Sequence, residues 1–235
     1  MKKVGIVGGI GPEATVDYYQ SIISKFQEKI GSKEELPELF INSINMYKMF
    51  DFLMKGQTEE VIQYLTEAVQ NLERVGADFV VMCGNTPHIV FDHIQQKVRV
   101  PMISIVEETY VQAQELNVEK IGLIGTKFTM EHDFFKKPFI SNNIEIVVPN
   151  QTEQEYIHKK IVSELENGIV HNDTKEDFLH IINQMIAKNG IQGLILGCTE
   201  LPMLIKNEDI PIHSLNTAEI HINKIIDTIF MDNAH

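Results

Sequence analysis

The sequence is poor in cysteine and contains no long apolar run. Two cysteines among 235 residues cannot form a disulfide framework, so free thiols in a reducing cytoplasm are expected. No apolar stretch reaches the roughly 18–20 residues that a membrane span needs. The first seven residues show no signal-peptide pattern and enter a predicted strand at once. We therefore expect a cytoplasmic protein that has no membrane partner.

Basic residues are also scarce, with 20 Lys and Arg against 33 Asp and Glu, which gives a formal net charge of −13. This charge disfavours binding to nucleic acid and to anionic membrane surfaces. An anionic ligand must then be held by local donors such as helix N-termini. The nine histidines show no metal-ligand spacing and no Cys-x-x-Cys occurs, so no metal site is predicted.

What the sequence does contain is a regular alternation of strand and helix patterns. Apolar runs predict strands at residues 4–8, 39–44, 79–82, 100–104, 121–125, 144–148, 193–196 and 211–214. Helical spacing predicts helices from about residue 12, from an N-cap at Thr58, near residues 154–166 and 175–188, and at residues 217–230. This alternation is typical of parallel sheets with crossover helices, which places the chain in the α/β class.

The two halves of the chain resemble each other. Residues 4–9, 76–86 and 100–104 match residues 121–126, 190–199 and 210–214, with offsets from about 110 to 117 residues. The repeat predicts two pseudo-symmetric lobes, each a parallel four-stranded sheet flanked by helices. We expect lobes at residues 1–108 and 109–214, a boundary near residues 105–118, and a C-terminal helix, about 215–235, that packs on the first lobe. The site is expected in the cleft between the lobes, where the matching turns 84–86 and 197–199 converge.

The second of these turns has the sequence GCTE at residues 197–200 and is here called the Cys198 turn. Cys198 follows a glycine at a strand end, where ligands bind in open α/β sheets. Thr199 and Glu200 begin a predicted helix, whose N-terminus is expected to lower the pKa of the thiol. The alternative is that Cys198 is a small, inert core residue.

The first turn has the sequence GNTPH at residues 84–88 and is here called the Asn85 turn. Asn85, Thr86 and the nearby backbone N–H groups form a suitable cradle for a carboxylate. Pro87 suits the first turn of a helix that Thr86 caps, so both side chains could serve as caps alone. His88 is open to a structural role or to a role exerted through the turn.

A glycine-rich turn, GIGPEA at residues 9–14, follows the first predicted strand and imitates a dinucleotide-binding fingerprint. A proline within the turn is unexpected for that fingerprint. The second strand is followed by Asn45 and lacks the acidic residue that binds ribose. We predict a tight, ligand-facing turn at Ile10 that holds no nucleotide.

Together, the segments VGGIGPEAT (7–15), GNTPH (84–88) and GCTE (197–200) resemble, in order and spacing, the aspartate/glutamate racemase family over the whole chain. The similarity is greatest to the aspartate racemase branch. The resemblance implies a cofactor-independent amino-acid racemase, expected to be a homodimer, in which two cysteines flank the substrate α-carbon. One thiolate removes the proton and the opposite thiol returns one to the other face. The implied catalytic residues are Cys198 and Cys83, and the implied substrate contacts are Ile10, Lys48, Gly84, Asn85, Thr86, Thr126, Thr129, Thr199 and Glu200.

The sequence departs from the family pattern at three positions. The family's first cysteine directly precedes the Asn-Thr pair, but Gly84 stands there and Cys83 comes one residue earlier. A regular strand would turn Cys83 into the core, whereas a bulge at Gly84 would aim it at the substrate. Lys48 stands where aspartate-specific members have arginine, and is either a weaker carboxylate ligand or a solvated lysine. Glu166 replaces a frequent family lysine, which argues against tight selectivity for aspartate.

Two other functions stay open at this point. One is an isomerase that uses a single activated cysteine on a small dicarboxylate. The other is a catalytically silent protein that binds a small carboxylate.

Overall fold

The computed structural model describes residues 1–231, which form two compact α/β units. The first unit comprises Met1–Ile105 and residues 221–231, and the second comprises Val106–Ile220. Residues 232–235, the end of the predicted C-terminal helix, lie outside the described residues. Within the described part of the chain, no helix has the length and apolarity needed to cross a membrane.

The first unit is built on a parallel sheet of order β2-β1-β3-β4. Its elements are β1 (Val4–Gly8), α1 (Pro12–Ile30), β2 (Leu39–Ser43), α2 (Met46–Met54), α3 (Thr58–Arg74), β3 (Phe79–Met82), a 3₁₀ helix (Thr86–Val90), α4 (Phe91–Gln95) and β4 (Met102–Ile103).

The second unit repeats this order as β6-β5-β7-β8, again with parallel strands. Its elements are α5 (Ile105–Glu115), which starts at the last residue of the first unit, β5 (Lys120–Gly125), α6 (Lys127–Glu131), α7 (Lys137–Ile140), β6 (Glu145–Val147), α8 (Gln151–Ser163), a 3₁₀ helix (Leu165–Asn167), α9 (Asn172–Asn189), β7 (Gly193–Gly197), α10 (Leu201–Leu204), a 3₁₀ helix (Asn207–Asp209) and β8 (His213–Asn216). The last helix, α11 (Thr217–Phe230), starts in the second unit and continues into the first. The predicted fold class, two parallel four-stranded sheets flanked by helices, is confirmed.

Amphipathic helices cover the sheet of the first unit. The apolar positions of α1 that recur at helical spacing are all buried, as are those of α3. The α3 residues form one apolar cluster with Val80 and Met82 of β3. Phe26 of α1 stacks on Phe230 of α11 at a centroid distance of 5.2 Å. Burial of each large apolar side chain stabilises the fold by about 1.5–3 kcal/mol. The helical spacing of the apolar residues, which the sequence shows, is therefore the main determinant of this packing.

Two helix starts differ from the sequence prediction. The predicted N-cap Thr58 is wrong, because Gln57 precedes the helix and Thr58 is its first residue. Helix α8 starts at Gln151, earlier than predicted, since Asn150 and Glu153 form a reciprocal capping box.

Four helices were missing from the prediction, namely α2, α5, α6 and α7. Helix α2 follows β2 directly because the Asn45 side chain accepts hydrogen bonds from the N–H groups of Tyr47 and Lys48. Helix α5 occupies most of the region predicted only as a boundary between lobes. The fourth strand, predicted at residues 100–104, is reduced to two residues.

Candidate active site

The Cys198 turn lies at the carboxyl edge of the second sheet. Strands β5 and β7 are neighbours, and Gly125 pairs with Gly197 where both strands end. Thr126 and Cys198 therefore follow the two strands at the same edge of the sheet, which is where α/β proteins bind ligands.

Cys198 is joined to a buried carboxylate. Its thiol donates a hydrogen bond to Oε2 of Glu200 at 2.8 Å, and the Thr199 hydroxyl donates to the same oxygen at 2.9 Å. Cys198 is 9% exposed and Glu200 is 7% exposed. The carboxylate therefore holds the thiol hydrogen in one direction, close to the end of β7.

The pKa of the Cys198 thiol is raised well above its ordinary value, chiefly by burial and then by the negative charge of Glu200. The expectation that a helix N-terminus lowers this pKa is wrong. Helix α10 spans only Leu201–Leu204, and a single turn carries little macrodipole. The thiol is protonated at rest, so forming a thiolate requires a nearby proton acceptor.

A second carboxylate influences the same thiol. Glu166 is half-buried in the 3₁₀ helix Leu165–Asn167, which packs against α10. Burial and the charge of Glu200 raise the pKa of Glu166, and Glu166 in turn contributes to the raised pKa of Cys198. The thiol therefore lies in a local environment of negative charge.

Two threonines complete this edge of the second unit. Thr126 caps α6, and its hydroxyl lies 3.2 Å from that of Thr129. Thr129 is fully buried, and a Cβ placed on Gly197 would lie 3.1 Å from its Cγ2. Thr126 is only partly buried, so its hydroxyl lies nearer to the surface at the end of β5.

In the first unit, Cys83 continues strand β3 by one residue. Its N–H donates to the Val7 carbonyl at 3.0 Å, which extends the ladder between β1 and β3. Because side chains alternate along a strand and Val80 and Met82 face the α3 cluster, Cys83 faces the opposite side. The residue is fully buried, and burial followed by the charge of Asp17 raises the pKa of its thiol well above the ordinary value.

The chain then bends at Gly84, which has a φ of +141°. Few L residues adopt this backbone region. A Cβ at this position would also lie 3.0 Å from the Ile10 carbonyl oxygen. Ile10 and Gly84 are thus in contact at the edge of β1 and β3, and the bend follows Cys83 without breaking its strand pairing.

Asn85 and Thr86 are both buried beyond this bend. The 3₁₀ helix Thr86–Val90 starts at Thr86, and the Asn85 side chain makes no capping hydrogen bond to it. Capping therefore does not account for the Asn85 side chain, and Thr86 is the first helical residue where the sequence predicted a cap.

The remaining predicted contact, Lys48, lies on the exposed face of α2. Its Nζ is 4.5 Å from the ring centroid of Tyr64 and 5.7 Å from that of Phe52. These cation–π contacts hold the ammonium group over two aromatic rings at the surface of the first unit.

The glycine-rich turn after β1 is closed by the protein itself. Thr15 accepts a hydrogen bond from the Gly9 N–H at 2.8 Å and donates to the Gly11 carbonyl at 3.0 Å. A dinucleotide fingerprint binds phosphate through backbone N–H groups of this turn. Here the Gly9 N–H is already bonded to Thr15. Among the described residues, no group of three or more His, Cys, Asp or Glu side chains is arranged to hold a metal ion.

Comparison with known proteins places these features in a family. A family model described as Asp/Glu/Hydantoin racemase matches residues 7–225. The chain belongs to the Asp/Glu/Hydantoin racemase family.

Individual relatives agree with this membership. The broad specificity amino-acid racemase RacX of Bacillus subtilis is 27% identical over 153 residues, which cover 64% of this chain and 66% of RacX. The match thus spans just under two thirds of that relative. An aspartate racemase homologue from Pyrococcus horikoshii is 38% identical with a TM-score of 0.85, over 98% of this chain and 100% of the homologue. A candidate Asp/Glu racemase from Yersinia pestis is 30% identical with a TM-score of 0.91, again over 98% and 100%.

Within this racemase-family chain, the predicted site residues fall into three groups. The carboxyl edge of the second sheet gathers Thr126, Thr129, Cys198, Thr199 and Glu200, and that of the first gathers Ile10, Gly84, Asn85 and Thr86. Cys83 adjoins the residues at the edge of the first sheet but has no exposed surface. Lys48 lies apart from both edges, on α2.

Sequence reasoning missed one function of a residue that it did select. Glu200 was predicted only as a substrate contact, yet it accepts the thiol hydrogen of Cys198. The spacing of two residues after a strand-terminal cysteine was the available signal, because such a turn folds the carboxylate back toward the thiol.

Proposed function

We propose that the chain is a cofactor-independent amino-acid racemase in which Cys198 transfers a proton at the substrate α-carbon. The observation that carries this proposal is the buried hydrogen bond from the Cys198 thiol to the Glu200 carboxylate at the end of β7. Membership in a racemase family and similarity to a broad specificity amino-acid racemase support it.

The proposed step is a proton transfer in two parts. Glu200 accepts the thiol proton, which leaves a Cys198 thiolate. The thiolate then takes the α-proton, so that an S–H bond forms, the Cα–H bond breaks, and its electron pair is delocalised into the substrate carboxylate. Return of a proton to the opposite face of the planar carbanion gives the other enantiomer. Because the pKa of the free thiol is raised, Glu200 is the acceptor that makes the first part accessible.

Stabilisation of the carbanion is assigned to short-range donors. The Thr126 hydroxyl and the backbone N–H groups at the ends of β5 and β7 are the candidates in the second unit, since preorganised donors lower the cost of charge that develops on the carboxylate. The Asn85 turn is predicted to supply further donors. A substitution of Asn85 by alanine is expected to raise KM for the amino acid.

The group that serves the second face of the carbanion decides between two functions. Cys83 is the predicted partner, and a two-thiol racemase needs it to reach the substrate. Its complete burial and its raised pKa favour a second candidate function, an isomerase or racemase that relies on Cys198 as its single thiol.

The substrate is proposed to be an amino acid that is not selected tightly for a distal carboxylate. Glu166 and Glu200 both lie near the Cys198 thiol. Both charges raise the pKa of that thiol, and the charge of Glu200 also raises the pKa of Glu166. A second carboxylate on the substrate would be repelled there. We therefore expect aspartate and glutamate to react no faster than neutral amino acids of similar size, in keeping with a broad specificity relative.

The test is incubation of L- and D-amino acids in deuterated water, with α-proton loss followed by NMR and chirality followed by chromatography. A two-thiol racemase places deuterium in the product enantiomer, and Cys83→Ala abolishes inversion. A single-thiol enzyme keeps its rate in Cys83→Ala. No exchange with any amino acid, together with retained binding, would establish the silent binding protein in place of the proposal.

Two further features belong to the proposal. We propose a homodimer on the family resemblance, and sedimentation velocity of the full chain tests it, since a monomer at micromolar concentration contradicts it. We also propose action in the cytoplasm, because the chemistry requires Cys198 as a free thiol and a reducing compartment keeps it so.

A further inference from the structure

A buried histidine lies directly behind the Asn85 turn. His88 is 5% exposed and stacks on Phe91 with a ring-centroid distance of 5.3 Å and an interplanar angle of 7°. Its Nδ1 lies 2.9 Å from the Gly84 carbonyl oxygen, and its Nε2 lies 3.2 Å from the Ile105 nitrogen. Both ring nitrogens are therefore engaged by main-chain groups of the first unit.

The partners determine the tautomer of this imidazole. A carbonyl oxygen only accepts hydrogen bonds and a backbone N–H only donates them. Nδ1 must therefore carry the hydrogen that bonds to Gly84, and Nε2 must accept from Ile105. A charged imidazolium would place a second N–H against the Ile105 N–H. Consistent with this, burial, followed by the proximity of His221, lowers the pKa of His88 to about 3.

A second buried histidine, His221, holds the backbone close to the residue that His88 contacts. Nε2 of His221 lies 3.1 Å from the Ile103 carbonyl, and its Nδ1 lies 3.0 Å from the Tyr18 hydroxyl. The same reasoning gives a neutral ring that donates to Ile103 and accepts from Tyr18. Residues 103 and 105, between which the chain leaves β4 for α5, are thus each held by an imidazole.

The bond to Gly84 has a consequence for the next residue. The Gly84 carbonyl and the Asn85 N–H belong to one planar trans peptide, in which they point in opposite directions. Holding the carbonyl toward His88 directs the Asn85 N–H away from His88. Glycine at a φ of +141° leaves this peptide few other restraints.

We propose that His88 is a positioning residue, which holds the Gly84 carbonyl and so orients the Asn85 N–H as a donor to the substrate carboxylate. This inference rests on the proposed function, in which the Asn85 turn binds the carboxylate. The role requires the neutral Nδ1–H tautomer of the His88 ring, because only that tautomer donates to Gly84 and accepts from Ile105.

Two substitutions separate the bonds of the imidazole. His88→Asn keeps a side-chain N–H near the place of Nδ1 and loses the acceptor for Ile105. His88→Gln keeps an acceptor near the place of Nε2 and loses the donor to Gly84. We expect His88→Gln to raise KM by roughly 5- to 100-fold, as for loss of a buried hydrogen bond, with a smaller change in kcat. His88→Asn should stay within about threefold of the wild type. The control is His93→Asn, an exposed histidine on α4, which should leave both constants unchanged.

NMR of the uniformly ¹⁵N-labelled full chain provides a readout that does not depend on activity. The His88 ring should show the neutral Nδ1–H tautomer at pH 6, and the Asn85 amide resonance should shift when the reactive amino acid is added to the wild type but not to His88→Gln. The opposite tautomer, or equal KM values for the Asn and Gln variants, overturns the inference. A wild type that exchanges no α-proton overturns the proposed function instead, and the tautomer still decides whether His88 holds Gly84.

Discussion

At the scale of single residues, the centre of the account is the pair of Cys198 and Glu200. A thiol that donates to a buried carboxylate is protonated at rest and has its proton acceptor in place. The role of Glu200 can be separated from that of the thiol, because glutamine keeps an acceptor oxygen but carries no charge.

Glu200→Gln is expected to lower the pKa of Cys198, since the charge of Glu200 raises it. The measurement is the pH dependence of Cys198 alkylation by iodoacetamide in a Cys83→Ala background, where Cys198 is the single thiol. In this background the midpoint of alkylation should move to lower pH. In the chain that keeps Cys83, the kcat of Glu200→Gln should fall roughly 10²- to 10⁴-fold because the proton acceptor is lost. A midpoint that moves to higher pH, or an unchanged kcat, contradicts the role given to Glu200.

Gly84 is a second residue of interest, because its backbone conformation is one that few residues other than glycine adopt. Gly84→Ala should lower the free energy of unfolding by about 1–3 kcal/mol, because a side chain at this φ is strained and its Cβ meets the Ile10 carbonyl. Gly76→Ala is the matched control, since it has a φ of +95° and no heavy atom within 4 Å of the added Cβ. Urea denaturation of both variants should show the larger loss at Gly84. Equal losses would mean that the Ile10 contact contributes nothing.

At the scale of elements, the helices are held by a few specific contacts as well as by their apolar faces. On α1, the Tyr18 hydroxyl donates a hydrogen bond to Nδ1 of the buried His221 ring, whereas the neighbouring Tyr19 is 42% exposed. Tyr18→Phe should cost about 1–3 kcal/mol of unfolding free energy, because Nδ1 of His221 is left without its donor. Tyr19→Phe should change the same quantity by less than about 0.5 kcal/mol. Thermal or urea unfolding measures both, and a smaller loss for Tyr18→Phe contradicts this assignment.

The predictability of the fold from sequence also differs by element. Strand β1 and helix α1 could be predicted because a buried parallel strand is a continuous apolar run and a surface helix buries every third or fourth residue. Helix α2 could not, since it is specified by a local bond from Asn45 and not by periodicity. The positions of Cys198 and Asn85 at the carboxyl ends of strands followed from the apolar runs that precede them. The tautomer of His88 and the thiol bond to Glu200 did not, because both depend on side-chain geometry.

At the scale of the whole molecule, two buried neutral histidines couple stability to pH. The pKa of His88 is lowered to about 3 and that of His221 to about 4, in both cases mainly by burial. The unfolded chain therefore binds protons below about pH 6.5 that the folded chain does not. The stability that the two neutral rings provide is fully present above that pH and decreases as the pH falls toward 4.

The expected slope is at most about 2.7 kcal/mol per pH unit for two protons, on top of the carboxylate contribution. Denaturation by urea at pH 7, 6 and 5 measures it, with the double variant His88→Asn/His221→Asn as comparison. The wild type should lose stability more steeply than the double variant over this range. Parallel slopes would contradict the assignment of both rings as neutral and buried.

The central claim is that the Cys198 thiol exchanges the α-proton of an amino acid. The most direct measurement compares wild type and Cys198→Ala for loss of the α-proton signal of one reactive amino acid in deuterated water. We predict exchange by the wild type and none above background for Cys198→Ala, with the fold of the variant verified by circular dichroism. Exchange at the wild-type rate in Cys198→Ala would contradict the account.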